Sequence, residues 1–238
     1  MNGDLYTYSM LCETTGTAPN TVTGTLTCIT DIPSDLNYSE LTECLIEGEN
    51  ETSDEDINLA YEDYINSNDE DGNVNQYEKW CSEYKGIGNA KVMPLWNGAN
   101  TVKVSILSAS NRSATEILID EFQNYLDPGC TGMGDGVAPI GAFVTVTTAT
   151  EIPISISAEV SMVDGYTDTT TIDNAITEYF KSIAYKKSIV AYMNLGATIL
   201  SVEGVDSIKD LKVNGGTADI TLQEEQIAVL GTTNWTVV

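Results

Sequence analysis

Histidine is absent from the 238 residues. Its absence removes the commonest general base, the usual partner of a serine or cysteine nucleophile, and the commonest metal ligand. Basic residues are scarce as well: ten Lys and Arg stand against 36 Asp and Glu, a formal net charge of -26. A field of that sign repels phosphate backbones and anionic lipid headgroups, which excludes nucleic acid and an acidic membrane surface as partners. No window approaches the length of a membrane span, and the first residues, MNGDLYTYSMLCETTG, carry neither a basic n-region nor an apolar h-region. The expectation is synthesis in a reducing cytoplasm.

Metal and nucleophile chemistry also lack their signatures. Five cysteines, Cys12, Cys28, Cys44, Cys81 and Cys130, form an odd, widely spaced set without a CxxC pair, which reads as reduced structural thiols. There is no GxSxG and no GxxxxGK[ST]; GMGDG has no strand before it and no helix after it. A glycosidase would need two carboxylates at a set separation, and no local spacing singles out such a pair. No catalytic, cofactor-binding or metal-ligating residue is therefore expected, and no cofactor.

What is present is a folding chain. Apolar residues make up 42% of it, enough for one large domain or two small ones. The acid is unevenly spread: residues 1 to 85 hold 19 acidic residues against only Lys79 and Lys85, a local net of -17. Alternation in TVTGTLTCI predicts a strand, and Pro19-Asn20 a turn. NETSDEDINLAYEDYINS predicts a helix from about Asp54 to Ser67, capped by Thr52 or Ser53, with Ile57, Ala60, Tyr61, Tyr64 and Ile65 at helical spacing. A second helix runs from Val74 through Tyr77, Trp80 and Cys81 to Tyr84. IGNAKVMPLW and TVKVSIL read as strands joined at Asn97-Gly98, and SATEILIDEFQNYLD as a capped helix stopped by Pro128-Gly129.

The stretch GMGDGVAPIGAFVTV, Gly132 to Val146, places four glycines and a proline before an alternating strand. That composition predicts a shaped corner and not a linker, and the last domain is expected to begin there. Strands Phe143 to Thr148 and Ile154 to Met162, helices in TTTIDNAITEYFKSIA and SIVAYMNLGATILSV, and strands around Val205 to Val213, Thr217 to Leu222 and Ile227 to Leu230 complete it, with Asn214-Gly215 as a hairpin turn. The fold class is α+β and multi-domain: a β-rich N-terminal segment (1–50), a middle α+β domain (51–131) and a C-terminal α+β domain (132–238).

Several residues admit two readings. SNDEDGNVNQYE sets Asp69, Asp71, Gly72, Val74 and Glu78 at positions 3, 5, 6, 8 and 12 of a calcium loop, but Ser67 stands where the first carboxylate belongs; the other reading is an acidic helix-helix turn. Trp96 is either a core residue packed on the helices or an exposed anchor for a partner. Tyr6, Tyr8, Tyr61, Tyr64 and Tyr77 read as half-buried packing residues, and Lys186-Lys187 as a solvated helix end.

Taken in order, ETSDEDINLAYEDYI, GNVNQYEKWCSEYKGIGNAKVMPLWNGANTVKVSIL, YLDPG, GDGVAPIGAFVTVTTATEIPISIS and the tail from KSIAYKKSIV to EEQIAVLG resemble the baseplate J-like proteins of contractile phage tails and phage-tail-like particles. Gly72-Asn73, Tyr77, Trp80, Gly86, Gly88, Pro94, Trp96, Gly98, Asp127-Pro128, Ala138 to Gly141 and Asn214 to Gly216 fall in register over residues 50 to 238. The resemblance implies a structural baseplate wedge subunit and not an enzyme. Its implied partners are other wedge proteins, copies of itself in a ring, and sheath or tube-end proteins. After synthesis in a bacterial cytoplasm it would be assembled into the particle. Members carry a longer N-terminal part with a bundle-forming helical segment and a β-rich domain, so residues 1 to 50 read as a remnant of the latter, either in a shortened member or with an upstream part missing. The alternative reading from the residues is a calcium- or carbohydrate-binding adhesion module.

Overall fold

The computed structural model describes residues 7–26, 38–66, 72–163 and 165–238. The chain divides into two compact units, Met1–Ser67 and Asn68–Val238. In the first, strand β1 (Gly24–Thr25) pairs antiparallel with β2 (Glu40–Leu41), and helix α1 covers Asp54–Asn66. Ser53 starts α1: its hydroxyl accepts the Asp56 N–H at 3.1 Å and donates to the Asp56 carboxylate at 2.6 Å. Thr27 to Ile32, the end of the predicted N-terminal strand, lie outside the described residues, as does Cys28. The sequence reading placed α1 in the middle domain, whereas it belongs to the first unit. Helical periodicity identifies an element without saying what it packs on.

The second unit holds two sheets. In the first, helix α2 (Val74–Glu83) begins where Asn73 accepts the Gln76 N–H at 2.9 Å, and it buries Tyr77 and Cys81 one turn apart. Strands β3 (Ile87–Pro94) and β4 (Thr101–Ser108) form an antiparallel hairpin. Helix α3 (Glu116–Leu126), capped by Thr115, buries Leu118, Phe122 and Leu126 at i, i+4 and i+8. Strand β5 (Phe143–Thr148) then pairs parallel with β4, Val104 opposite Val146. Parallel neighbours need a long crossover, and α3 with the corner after it supplies one. The core holds Tyr77, Val104, Ile106, Leu118, Phe122 and Val144, with the Tyr84 ring edge-on to Phe122 at 4.8 Å.

The other sheet has strand β6 (Thr150–Met162) at its centre. Helix α4 (Thr170–Ile183), strand β7 (Ile189–Val190), helix α5 (Tyr192–Leu200), strand β8 (Val205–Val213), strand β9 (Ile220–Thr221) and strand β10 (Gln226–Val237) follow. β6 lies parallel to β10 and antiparallel to β8, and β7 pairs with β9. Ile154, Ile156, Ala158 and Val160 alternate along β6 to meet Ile172, Ile176 and Phe180 of α4 and Leu195 and Ile199 of α5. The Trp235 indole N–H donates to Asp173 at 2.9 Å, tying β10 to the start of α4.

Three sequence expectations change. Gly132 does not open the last domain, because β5 is a strand of the β3-β4 sheet and the chain changes sheets only at Ala149. Periodicity reveals a strand but not its neighbour, and a parallel partner leaves no hairpin signature. The Asn214-Gly215 turn closes, with the Gly216 N–H on the Val213 carbonyl at 3.0 Å, yet no hairpin extends from it, because β8 pairs with β6. β10 runs to Val237, past Leu230, because Gly231 sits at an irregularity in its ladder with β6 where an added Cβ would lie 3.1 Å from the Ile154 backbone.

Candidate assembly interface

The corner after α3 is held by one carboxylate. Asp127, 2% exposed, accepts backbone N–H groups from Thr131 at 3.2 Å, Gly132 at 3.0 and 3.2 Å, and Val144 at 3.1 Å. Gln123, one turn earlier, donates to the Asp127 and Val144 carbonyls at 2.7 and 2.9 Å and accepts the Val146 N–H at 2.8 Å. The end of α3 is thus sewn to β5. The returning loop takes the helix's unpaired carbonyls, Val137 N–H to Tyr125 at 3.1 Å and Ala138 N–H to Leu126 at 3.0 Å. Gly136 passes so close that a Cβ there would lie 2.3 Å from the Leu126 carbonyl oxygen. At the tip, Met133 and Ile140 are exposed by 68% and 85%. The corner is a rigid apolar projection.

β4 is buried on both faces. Val104 and Ile106 enter the helix-covered core, while Lys103, Ser105 and Leu107 point to the other side, where the second sheet docks. There the Lys103 ammonium binds both Glu225 oxygens at 3.1 and 3.0 Å and stands 4.2 Å over the Trp96 ring. Lys91 pairs with Glu224 at 3.2 Å. Ser105 shares a hydrogen bond with the Tyr185 hydroxyl, and Asn89 donates to the Ala184 carbonyl at 3.0 Å. Leu107, Ala149, Ala184, Ile227 and Val229 close a small dry cluster behind them. Burial pushes the Tyr185 hydroxyl up to about 12, so it is a neutral phenol that can donate or accept.

At the edge of this joint Arg112, the chain's one arginine, grips Glu151 through two nitrogens at 2.8 and 2.6 Å, with the Ser113 N–H adding a bond at 2.9 Å. The Arg112 guanidinium holds the Glu151 carboxyl below its ordinary value of 4.5, against the opposing effect of burial. A carboxyl depressed in the folded state stabilises it above the unfolded value, and that contribution disappears as pH falls through the folded value. The melting-temperature difference between wild type and Glu151→Gln is therefore expected to be full at pH 6 and to shrink on acidification below about 4.5.

Residues 70–148 match the Baseplate J-like central domain, and residues 154–236 match the Baseplate J-like protein C-terminal domain. The chain belongs to the baseplate J-like family. The two family domains meet where the structure changes sheets, around Ala149. The chain is 33% identical over 229 residues to "Uncharacterized protein YqbT" of Bacillus subtilis strain 168. It is 31% identical over 227 residues to "Phage-like element PBSX protein XkdT" of the same organism. Each comparison covers 94% of this chain and 65% of the relative, so the chain spans just under two thirds of their length. Among solved structures, a chain of the 6-fold symmetrised cryo-EM structure of the anti-feeding prophage baseplate superposes with a TM-score of 0.50 at 10% identity, over 84% of this chain and 47% of that one. The fold is what these two share.

In this J-like chain the residues singled out from sequence fall in different places. Ser67, Asp69 and Asp71 lie outside the described residues. Gly72 packs on the Pro139 ring and Asn73 caps α2, and among the described residues no three potential metal ligands converge. Trp96 is not in the helix-covered core: it is exposed at the β3-β4 turn with Lys103 on its face. Tyr77 is fully buried, while Tyr8 and Tyr61 are exposed, not half-buried. Tyr6 and the Tyr64 side chain are outside the described residues. No described helix is long and apolar enough to cross a membrane.

The joint residues Lys103, Glu225, Arg112, Glu151 and Tyr185 escaped the sequence reading, since their pairings span tens of residues and follow no local spacing. Asp127 left a trace, in the Asp-Pro-Gly helix stop. Among the thiols, Cys12 and Cys130 are exposed, whereas Cys81 is buried in α2 and pushed up to about 12 by that burial. Iodoacetamide at pH 8 is expected to modify Cys12 and Cys130 and to spare Cys81 until the chain unfolds, read by peptide mass spectrometry.

Proposed function

We propose that the chain is a structural wedge subunit of the baseplate of a contractile phage tail or phage-tail-like particle. It works through protein-protein contacts that link the tube and sheath end to outer baseplate parts. The observation that carries this reading is the joint: two domains of the J-like family are fastened face to face by ion pairs, hydrogen bonds and a dry cluster. Such a body passes displacement from one end to the other without bending at a linker. Its partners are other wedge proteins and copies of itself in a ring, and it is carried in the assembled particle.

Mass spectrometry of purified tails or tail-like particles from the source is expected to find the chain at a fixed ratio to tube and sheath proteins. Its absence from such particles would defeat the proposal. The competing reading, a calcium- or carbohydrate-binding adhesion module, requires ligand binding by the isolated chain. With a serine at the first ligand position of the acidic loop, titration with millimolar calcium is expected to release no heat.

A further inference from the structure

Residues 1–67 contain 14 acidic residues and neither Lys nor Arg. Among the described residues of that unit none is buried. With none of these described residues buried, their apolar side chains are left to be covered by something else. The most regular set is on α1, where Ile57, Tyr61 and Ile65 stand at i, i+4 and i+8 along one stripe, exposed by 53%, 62% and 58%. The helix itself is well founded: Ser53 caps it, and Asp54, Glu55 and Asp56 occupy the first turn, where the helix dipole favours negative charge. An ordered acidic helix thus presents an uncovered apolar stripe.

We propose that the Ile57-Tyr61-Ile65 stripe of α1 docks into an apolar groove on a separate, basic protein, with Asp54, Glu55 and Glu62 meeting lysines at the groove's rim. The chemistry of the chain selects this occupant over a second copy. A copy would bring another 14 acids without a base from its own first unit. Its Asn68–Val238 unit has 22 acids, the 36 of the chain less those 14, against ten bases. Four of the ten, Lys91, Lys103, Arg112 and Lys181, are already paired with Glu224, Glu225, Glu151 and Glu178. Both units of a copy thus carry an excess of acid, and like charges brought together oppose association. Anchors at helical spacing laid into an apolar groove are a common mode of helix recognition.

The inference rests on the proposed baseplate role, because it takes the partner to be another subunit of the particle. The test uses purified particles and the isolated full-length chain side by side. A carbodiimide joins a carboxylate to a neighbouring lysine amine as an amide, with loss of water. Links from Asp54, Glu55 or Glu62 to lysines of a different protein are expected in particles. The hydroxyl-radical labelling of Tyr61 is expected to fall severalfold from isolated chain to particle. The double variant Ile57→Asp, Ile65→Asp is expected to lose incorporation into particles while the Asn68–Val238 unit melts as in wild type. Links only to Lys79 and later lysines of this chain, or to none, would overturn the inference, as would undiminished labelling of Tyr61 or normal incorporation of the double variant. Wild-type chain missing from the particles would overturn the baseplate role and this inference together, whereas chain present with α1 unprotected would overturn the inference alone.

Discussion

Asp127→Ala is expected to destabilise the Asn68–Val238 unit by about 3–5 kcal/mol, since the amides of Thr131, Gly132 and Val144 would lose a buried acceptor at once. For a unit of this size that corresponds to a fall in melting temperature of roughly 10 °C, measurable by calorimetry. Water cannot readily replace the carboxylate, because the residue is buried and Gly136 seals the loop against the end of α3. Asp127→Asn should fall between wild type and alanine: one oxygen still accepts, but the amide nitrogen confronts N–H donors with donors of its own. An alanine variant as stable as wild type would mean that the corner is held by its backbone turns alone.

The second large effect separates two neighbours on one strand. Ile106 and Leu107 are both fully buried, and either replacement by alanine is expected to cost about 2–5 kcal/mol. Their faces differ. Ile106→Ala removes packing from the helix-covered core of the first sheet, while Leu107→Ala removes it from the cluster that fastens the two sheets together. Leu107→Ala should therefore uncouple the pair. Calorimetry is expected to show one transition for wild type and for Ile106→Ala and two for Leu107→Ala, with faster hydrogen exchange at Ile227 to Val229. A single transition in all three would show that the joint contributes little to cooperativity.

Much of this architecture could be read from spacing. The stripe Leu118, Phe122, Leu126 and the alternation along β6 identify elements and inward faces, because one face of a helix or strand must be apolar to be buried. The joint could not be read in the same way. Lys103 and Ser105 look like the solvent face of an ordinary half-buried strand, and only the partner surface brought by Tyr185 and Glu225 turns that face into an interior. The corner was legible in composition but not in destination: Gly132 and Pro139 announce a fixed bend, while the parallel place of β5 beside β4 depends on a crossover that leaves no local mark. Trp96 illustrates the same limit, since a bulky aromatic beside a turn does not reveal whether a cation or a helix will cover it.

The parallel pairing of β6 and β10 has a mechanical consequence. β6 leaves the joint at Thr150, opposite Gln226, and the two strands run side by side until Val160 meets Val237. A pull applied at the far end of β10 would run along its own backbone to Ile227 and Val229, which sit in the joint, so covalent bonds carry the tension and the ladder to β6 keeps the strand aligned with it.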